Sequence, residues 1–331
     1  MNSFGRLFRI HIFGESHGES VGITIDGCPA GLPIMPEDFT ADLLRRQGGA
    51  KGTTPRKEDD LPLFQSGIFN NKTTGSPITI LFRNNNTRST DYEKQRAIPR
   101  PGHADFVANK KFAGHEDYRG GGHFSGRLTV ALVAAGVIAK KLLQDINITA
   151  TLKEIGGETD IEAGLQKAIN AKDSIGGIVE CEVAGLPIGL GEPFFDSIES
   201  VISHAVFSIP AIRAIEFGTG FAAAKMFGSQ HNDAIESIEG STKTNHAGGA
   251  VGGISNSNSF VFRVAVKPTS STSKEQLTLN WETGTQDTLS VKGRHDLCIA
   301  LRVPVVLEAV TAIVLADSML LEQKINRIYS L

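Results

Sequence analysis

The chain has 331 residues, 40% hydrophobic and 21% charged, with a formal net charge of −3. This is globular composition with enough apolar material for a large core, and its slightly acidic balance argues against a general nucleic-acid binder. Cys28, Cys181 and Cys298 lie far apart in apolar or glycine-rich contexts, so they read as small core residues in a reducing compartment rather than a disulfide framework. No proline/serine-rich linker or charge run divides the chain, which predicts one domain over 1–331. The amino terminus lacks a signal-peptide h-region and cleavage site, and no apolar run is expected to span a membrane; the expected location is cytoplasmic.

Residues 6–13, R-L-F-R-I-H-I-F, alternate charged and apolar side chains and predict a half-buried strand. G-E-S-H-G at 14–18 leads into a second alternating run, V-G-I-T-I-D-G, which ends at Cys28-Pro29. A hairpin is expected, with Ser16 and His17 near its bend. The two cannot pair as nucleophile and base, because adjacent strand residues point to opposite faces, and the G-x-S-x-G elbow of hydrolases is absent. Chemistry at His17 is then acid or base work toward a bound ligand.

Pro36-Glu37-Asp38 opens a short helix that runs to Arg45-Arg46, followed by the glycine-rich cationic loop Q-G-G-A-K-G-T-T-P-R-K. Arg45, Arg46, Lys51, Arg56 and Lys57 either meet a bound polyanion or form a solvated basic loop. The segment carries no aromatic residue to stack on bases. Residues 63–68 and 78–82 are strand-like, and a polar loop, N-N-N-T-R-S-T-D-Y, follows at 84–92.

Between Arg100 and Lys141 the chemical resources are dense. His103 with Asp105, the triple glycine 120–122, His123 with Ser125, and the flanking Arg119 and Arg127 precede a small-residue apolar run, Leu128 to Leu143. That run has no polar stripe of useful width, so it predicts a buried central helix. A glycine turn and the positive end of a helix dipole at its start suit an anion, above all a phosphate. Histidine is the side chain best suited to proton transfer near neutral pH. Metal-ligand spacings such as H-E-x-x-H or Cys/His clusters are missing, so no metal is expected.

Further on, a strand is expected at 150–155, a helix at 161–171, a strand through G-G-I-V-E-C-E-V-A-G, and an amphipathic helix carrying Ile198, Val201 and Val206 that ends at Pro210-Ala211. Residues 215–226 open a second sheet-like half, and a long polar, glycine-rich loop follows. S-F-V-F-R-V-A-V-K-P-T is a strand that delivers Lys267 and the hydroxyls of Thr269, Ser270 and Ser271, a set suited to phosphate. Arg294, His295 and Asp296 come just before an apolar helix at 305–321. Strands and helices do not alternate as βαβ, and G-x-G-x-x-G is missing, which excludes a Rossmann sheet. The expected fold is α+β: a sandwich of antiparallel sheets around central buried helices, with a weak internal pseudo-repeat.

The chain resembles the chorismate synthase family along nearly all its length. G-E-S-H-G-E-S-V-G-I-T-I-D-G-C-P at 14–29, G-H-F-S-G-R-L-T-V-A-L-V-A-A-G at 122–136 and R-H-D-L-C-I-A-L-R-V-P-V-V-L-E-A at 294–309 carry the resemblance. R-P-G-H-A-D at 100–105, N-H-A-G-G at 245–249 and K-P-T-S-S at 267–271 support it in the right order. The resemblance implies a homotetrameric lyase that converts 5-enolpyruvylshikimate 3-phosphate to chorismate and phosphate by 1,4-anti elimination. Reduced FMN is required without net redox change, with NADPH as a source of its reducing equivalents.

By the same resemblance, His17 protonates the departing phosphate, and His103 keeps the reduced flavin in its working protonation state. Asp296 helps flavin N5 take the ring proton, with Ser16 and Ser125 relaying. Arg45, Arg46 and Lys51 hold the substrate anion. His123, Ser125, Ala211, Gly252, Lys267, Pro268, Thr269, Ser270, Ser271 and Arg294 form the flavin site. The chain departs from the family where Arg-Ser-Ser-Ala-Arg is expected and His123-Phe124-Ser125-Gly126-Arg127 stands, and where Leu297 replaces the more usual proline. The loop at 47–52 is also a residue short. The rival chemistry is a metal-dependent phosphohydrolase with His17, His103 and Asp296 as ligands; a non-enzymatic anion- or RNA-binding module is the third reading.

Overall fold

Two antiparallel sheets and two buried helices make the core, in a computed structural model that describes residues 1–86, 96–291, 293 and 295–325. The first half contains β1 (Ser3–Phe4), β2 (Arg9–Gly14), β3 (Ser20–Asp26) and α1 (Thr40–Arg46). β4 (Leu63–Ser66), a short hairpin of β5 (Ile68–Phe69) and β6 (Lys72–Thr73), and β7 (Ile78–Arg83) come next. They build a five-stranded sheet in the order β1-β2-β3-β7-β4. α2 (Asp105–Phe112) and α3 (Thr129–Leu142) follow.

The second half runs through β8 (Asn147–Ile155), α4 (Ile161–Ala171), β9 (Gly177–Ala184), α5 (Ile198–Val206), β10 (Ile212–Phe217) and the single turn α6 (Gly228–His231). The short pair β11 (Ala250–Val251) and β12 (Ile254–Ser255) precedes β13 (Phe260–Val266). The hairpin β14 (Gln276–Asn280) and β15 (Thr285–Leu289) leads to α7 (Val303–Leu321). The second sheet has the order β10-β13-β9-β8.

Period-two alternation explains the sheets. Val21, Ile23 and Ile25 of β3, Ile78, Ile80 and Phe82 of β7, and Phe260, Phe262 and Val264 of β13 all point into the core. Each sheet then covers one central helix: α3 packs on β2, β3 and β7, and α7 packs on β8 and β9. The helices meet back to back, and small residues let them approach closely. A Cβ added to Gly136 of α3 would stand 2.3 Å from the Cβ of Ala309 in α7. The layers are sheet, helix, helix, sheet, as the α+β expectation had it.

Some expectations need correction. The helix opened by Pro36 begins as a 3-10 turn, Pro36–Phe39, and becomes α-helical only from Thr40. The strand expected over 215–226 ends at Phe217, and a 3-10 turn, Gly220–Lys225, takes over. α2 and the β14–β15 hairpin had no clear apolar periodicity and were not anticipated. The polar loop at 84–92 lies outside the described residues from 87 onward. The run Ile299–Leu321 is long and apolar enough to cross a membrane by length and composition, contrary to expectation, yet most of it is buried inside the fold.

One buried charge ties three layers together. Glu308, 3% exposed on α7, accepts from Arg45 Nη1 (2.7 Å) and Nη2 (2.6 Å) of α1, Lys140 Nζ (2.9 Å) of α3 and the Ala150 amide (3.0 Å) of β8. Burial opposes its ionisation, but Arg45 and Lys140 outweigh burial and hold its pKa below the usual 4.5. Removing one partner of such a network costs about 3 kcal/mol or more. Glu308→Ala should lower stability by roughly that amount in a urea melt at pH 7. The wild-type advantage is fully present above the unfolded carboxyl's pKa and is lost as pH falls through the lower folded value. The gap between the two proteins should therefore close in acid; a gap that persists unchanged at pH 3 would contradict this assignment.

Candidate active site

A cavity of about 690 Å³ takes its lining from both halves of the chain. Ile10, Leu132, Val306, Val310 and Ile313 give it an apolar floor, while Arg46, Arg56, Arg100, Arg127, Lys267 and Arg302 supply cations. His103, His123, His204, His295 and Asp296 also line it.

The triple glycine builds one side. Gly120, Gly121 and Gly122 have φ values of 59°, 82° and 52°, a region costly for any side chain with a Cβ. A Cβ on Gly122 would lie 1.9 Å from the Asp117 carbonyl oxygen, and one on Gly120 would lie 2.5 Å from the His17 ring. The turn therefore lets the Ser16–His17 bend press against it, and the Ser16 amide donates to the Gly122 carbonyl (3.1 Å). Ser16 and His17 sit one layer behind the cavity wall, 0% and 8% exposed. Arg56 Nη1 donates to Ser16 Oγ (3.3 Å). Burial lowers the His17 pKa, and the nearby Arg56 and Arg119 guanidinium groups lower it further.

Beside the same triplet, against Gly121, His103 faces the cavity with its Nδ1 2.6 Å from Asp105 Oδ1. Lys267 Nζ donates to the Gly102 carbonyl (2.7 Å) and lies 2.7 Å from Ser270 Oγ. Burial lowers the Lys267 pKa, and Arg213 adds to the effect. Ala211 holds φ +76° while its carbonyl accepts the Lys267 amide (2.9 Å). A left-handed alanine costs of order 1–3 kcal/mol and concentrates at binding sites. Pro268, Thr269, Ser270 and Ser271 line the same edge, and the buried Thr269 Oγ1 has no partner among the described residues.

The cations of the opposite rim are organised by carboxylates. Asp60 is 4% exposed and accepts from Arg46 Nη2 (3.0 Å) and from Arg127 Nη1. Burial raises the Asp60 pKa, but the two guanidinium groups outweigh it and pull the carboxyl below its ordinary value. Arg46 Nη1 also donates to Thr129 Oγ1 (3.2 Å), while its buried Nε is unpartnered among the described residues. Glu58 accepts from Arg56 Nη2 (2.6 Å) and from the amides of Asn85 and Asn86. Asp296 accepts from the Thr54 amide (2.9 Å) and Arg302 Nη1 (3.1 Å).

The expected residues divide as follows. Arg46, His103, His123, Ser125, Ala211, Asp296 and Lys267 through Ser271 line the cavity, with Ser16 and His17 directly behind it. Arg45 does not, because Glu308 holds its guanidinium. Lys51 does not either; it pairs with Glu162 (2.6 Å) on an exposed surface. Gly252 lies away from this cavity, in the turn between β11 and β12, and Arg294 lies outside the described residues.

Ser125 Oγ accepts the Arg127 amide (3.3 Å) and so also caps the turn that starts α3. His123 donates from Nδ1 to the Gly14 carbonyl (2.8 Å) and meets Asn2 Oδ1 through Nε2 (3.2 Å). Arg100 and Arg302 were not singled out for the site, while Arg56 and Arg127 were noted as cations without a site role; the carboxylate run at 58–60 that organises Arg56 and Arg127 was their signal. Among the described residues no three His, Cys, Asp or Glu side chains are grouped to hold a metal ion, so His17, His103 and Asp296 do not form the shared ligand set of the hydrolase reading.

The residues present fit a flavin phosphate ester: an apolar floor for rings, a half-buried lysine and an orphaned hydroxyl at one edge. Cavity and fold together define an enzyme that acts on an anionic small molecule. The sequence profile of the chorismate synthase family matches residues 8–320. The chain is 72% identical to a chorismate synthase of Chitinophaga pinensis, over 99% of each chain, and 46% identical to one of Dehalococcoides mccartyi, over 96% of each. A crystal structure of chorismate synthase superposes with a TM-score of 0.74 at 28% identity, covering 96% of this chain and 93% of that one.

The chain belongs to the chorismate synthase family. Its reaction is the elimination of phosphate from 5-enolpyruvylshikimate 3-phosphate to give chorismate, the last step of the shikimate pathway, with reduced FMN as cofactor.

The burial pattern separates the cations of the 45–57 region by role. Exposed pairs contribute about 0–1 kcal/mol, whereas a charge-assisted contact to a bound anion is worth about 1.5–3 kcal/mol. Lys51→Ala should therefore leave the substrate KM essentially unchanged in steady-state assays. Arg46→Gln should raise it roughly 10- to 100-fold. Equal effects of the two substitutions would place the substrate elsewhere.

Proposed function

We propose that the cavity binds reduced FMN over its apolar floor and the phosphorylated substrate against the Arg46–Arg127 rim, with the two imidazoles that flank the glycine triplet handling protons. Lys267 to Ser271, Ala211, His123 and Ser125 hold the flavin. Arg46, Arg56 and Arg127, set by Asp60 and Glu58, hold the substrate's phosphate and carboxylates. When bound, reduced FMN supplies an electron-rich ring system that assists cleavage of the C–O bond to phosphate, and NADPH is the source of its reducing equivalents. The protein's own groups then manage charge. His103 Nε2 faces the flavin side, and Asp296, steadied by Thr54 and Arg302, would help a bound reduced flavin take the ring proton, with Ser16 and Ser125 relaying.

The observation that carries this reading is the setting of His17. It is buried behind Gly120 with Arg56 and Arg119 nearby, which keeps the ring neutral near pH 7 in the ligand-free protein. A general acid there has to gain its proton. A phosphate dianion held at Arg56 offsets the local positive potential and favours the imidazolium, so substrate and proton bind together. Phosphate then leaves with that proton, and no net redox change is needed.

Titration calorimetry of the substrate in buffers of different ionisation enthalpy tests this. Wild-type protein should take up a proton on binding near pH 7, and His17→Asn should bind without that uptake while losing roughly 10²–10⁴-fold in turnover. Undiminished uptake in the variant would move the acid role away from His17.

Cytoplasmic operation and self-association into a tetramer complete the reading. Phe194, Phe195, Phe221, Phe227 and Ile238 are 78–98% exposed, a large apolar surface for a free chain. Sedimentation should give the mass of four chains, and Phe195→Glu should shift it to smaller species. A wild-type monomer at assay concentration would refute the tetramer.

A further inference from the structure

We propose that Asp105, clamped by Arg100, is the positioning residue that sets the tautomer of His103. The proposal rests on the reading of His103 as the flavin-side acid–base group, and it adds the device that aims the ring. Asp105 does not line the main cavity; it borders a separate, water-sized cavity of about 40 Å³ on the other side of His103. It therefore acts on bound ligands through the groups it holds, the His103 imidazole and the Arg100 guanidinium.

The contacts decide which nitrogen carries the proton. Asp105 Oδ1 lies 2.6 Å from His103 Nδ1, and Arg100 Nη2 lies 3.1 Å from the same nitrogen. A guanidinium can only donate and a carboxylate can only accept, so Nδ1 cannot satisfy both. Asp105 is held strongly ionised, since the Arg100 and His103 hydrogen bonds outweigh the cost of its burial. With the shorter contact made to a carboxylate, Nδ1 carries the hydrogen and donates it. His103 Nε2 is left without a protein partner among the described residues, against the edge of Gly121, where an added Cβ would stand 3.4 Å away.

Arg100 holds the carboxylate in turn: its Nε donates to Asp105 Oδ2 (2.7 Å), its backbone amide to Oδ2 (3.1 Å), and its Nη2 to Oδ1 (2.8 Å). Nη1 reaches Ser271 Oγ (3.0 Å), so the same guanidinium joins His103 to the 267–271 loop.

Asp105→Asn separates this role from simple packing, because the side chains have the same shape. Oδ2 meets two N–H donors from Arg100 and Oδ1 only one, so the amide oxygen settles at Oδ2; its NH₂ group then faces His103 Nδ1 and displaces Arg100 Nη2. That NH₂ donates, which forces the hydrogen onto Nε2. Nitrogen-15 spectra of histidine-labelled protein, with the His103 signals assigned by their loss in His103→Ala, should show the Nδ1–H tautomer in the wild type and Nε2–H in Asp105→Asn. Anaerobic turnover should fall roughly 10²–10⁴-fold with the substrate KM unchanged. The double variant His103→Ala/Asp105→Asn should be no slower than His103→Ala alone.

An Nε2–H tautomer in the wild type overturns the proposal. So does a loss of turnover with the tautomer unchanged, or a further loss in the double variant, since either makes Asp105 a structural residue. If His103→Ala turns over normally, the acid–base role of His103 fails instead, and the tautomer spectra still decide whether Asp105 sets the ring.

Discussion

Everything in the fold depends on how closely α3 and α7 approach. Gly136 leaves no side chain where Ala309 crosses, and the alanines of α3 with Ala309, Ala312 and Ala316 of α7 keep both helices slim enough for two sheets to close over them. The cavity exists because this pair ends near it: Leu132, one turn before Gly136, and Val306, Val310 and Ile313 on the facing helix form its floor. Glu308 then locks α1 to the pair, and α1 delivers Arg46 to the rim. Packing in the middle of the molecule and cation placement at the site are thus one constraint.

A second principle governs the polar side of the cavity. Its cations are held by buried carboxylates rather than left to solvent, so their geometry exists before a ligand arrives. Asp60 shared by Arg46 and Arg127, Glu58 under Arg56, and Asp105 under Arg100 and His103 repeat the same device. Preorganised charge costs folding free energy through desolvation, and it returns that cost where negative charge develops on a departing phosphate.

Much of this was legible in the residues. Val21, Ile23 and Ile25 alternate as a half-buried strand must, and the run from Thr129 to Leu142 has no polar face, so both elements could be placed by period alone. The glycine triplet announced a close approach, and the approaching groups are the Ser16–His17 bend and the His103 ring. What could not be read were pairings between distant residues. Arg45 and Arg46 are neighbours in the chain with the same chemistry, yet one faces Glu308, 263 positions on, and the other faces Asp60. Lys51 looked like its cationic neighbours and is an exposed partner of Glu162. α2 stayed hidden because its sequence, D-F-V-A-N-K-K-F, has almost no amphipathic pattern.

In the proposed mechanism one cavity, charged on one rim and apolar beneath, couples phosphate departure to ring-proton loss in the presence of a reduced flavin. The most direct measurement follows phosphate and chorismate together from 5-enolpyruvylshikimate 3-phosphate under anaerobic conditions. Equal yields of the two products, dependent on reduced FMN and indifferent to a metal chelator, are predicted. Phosphate released without chorismate, or at the same rate with no flavin present, would contradict it.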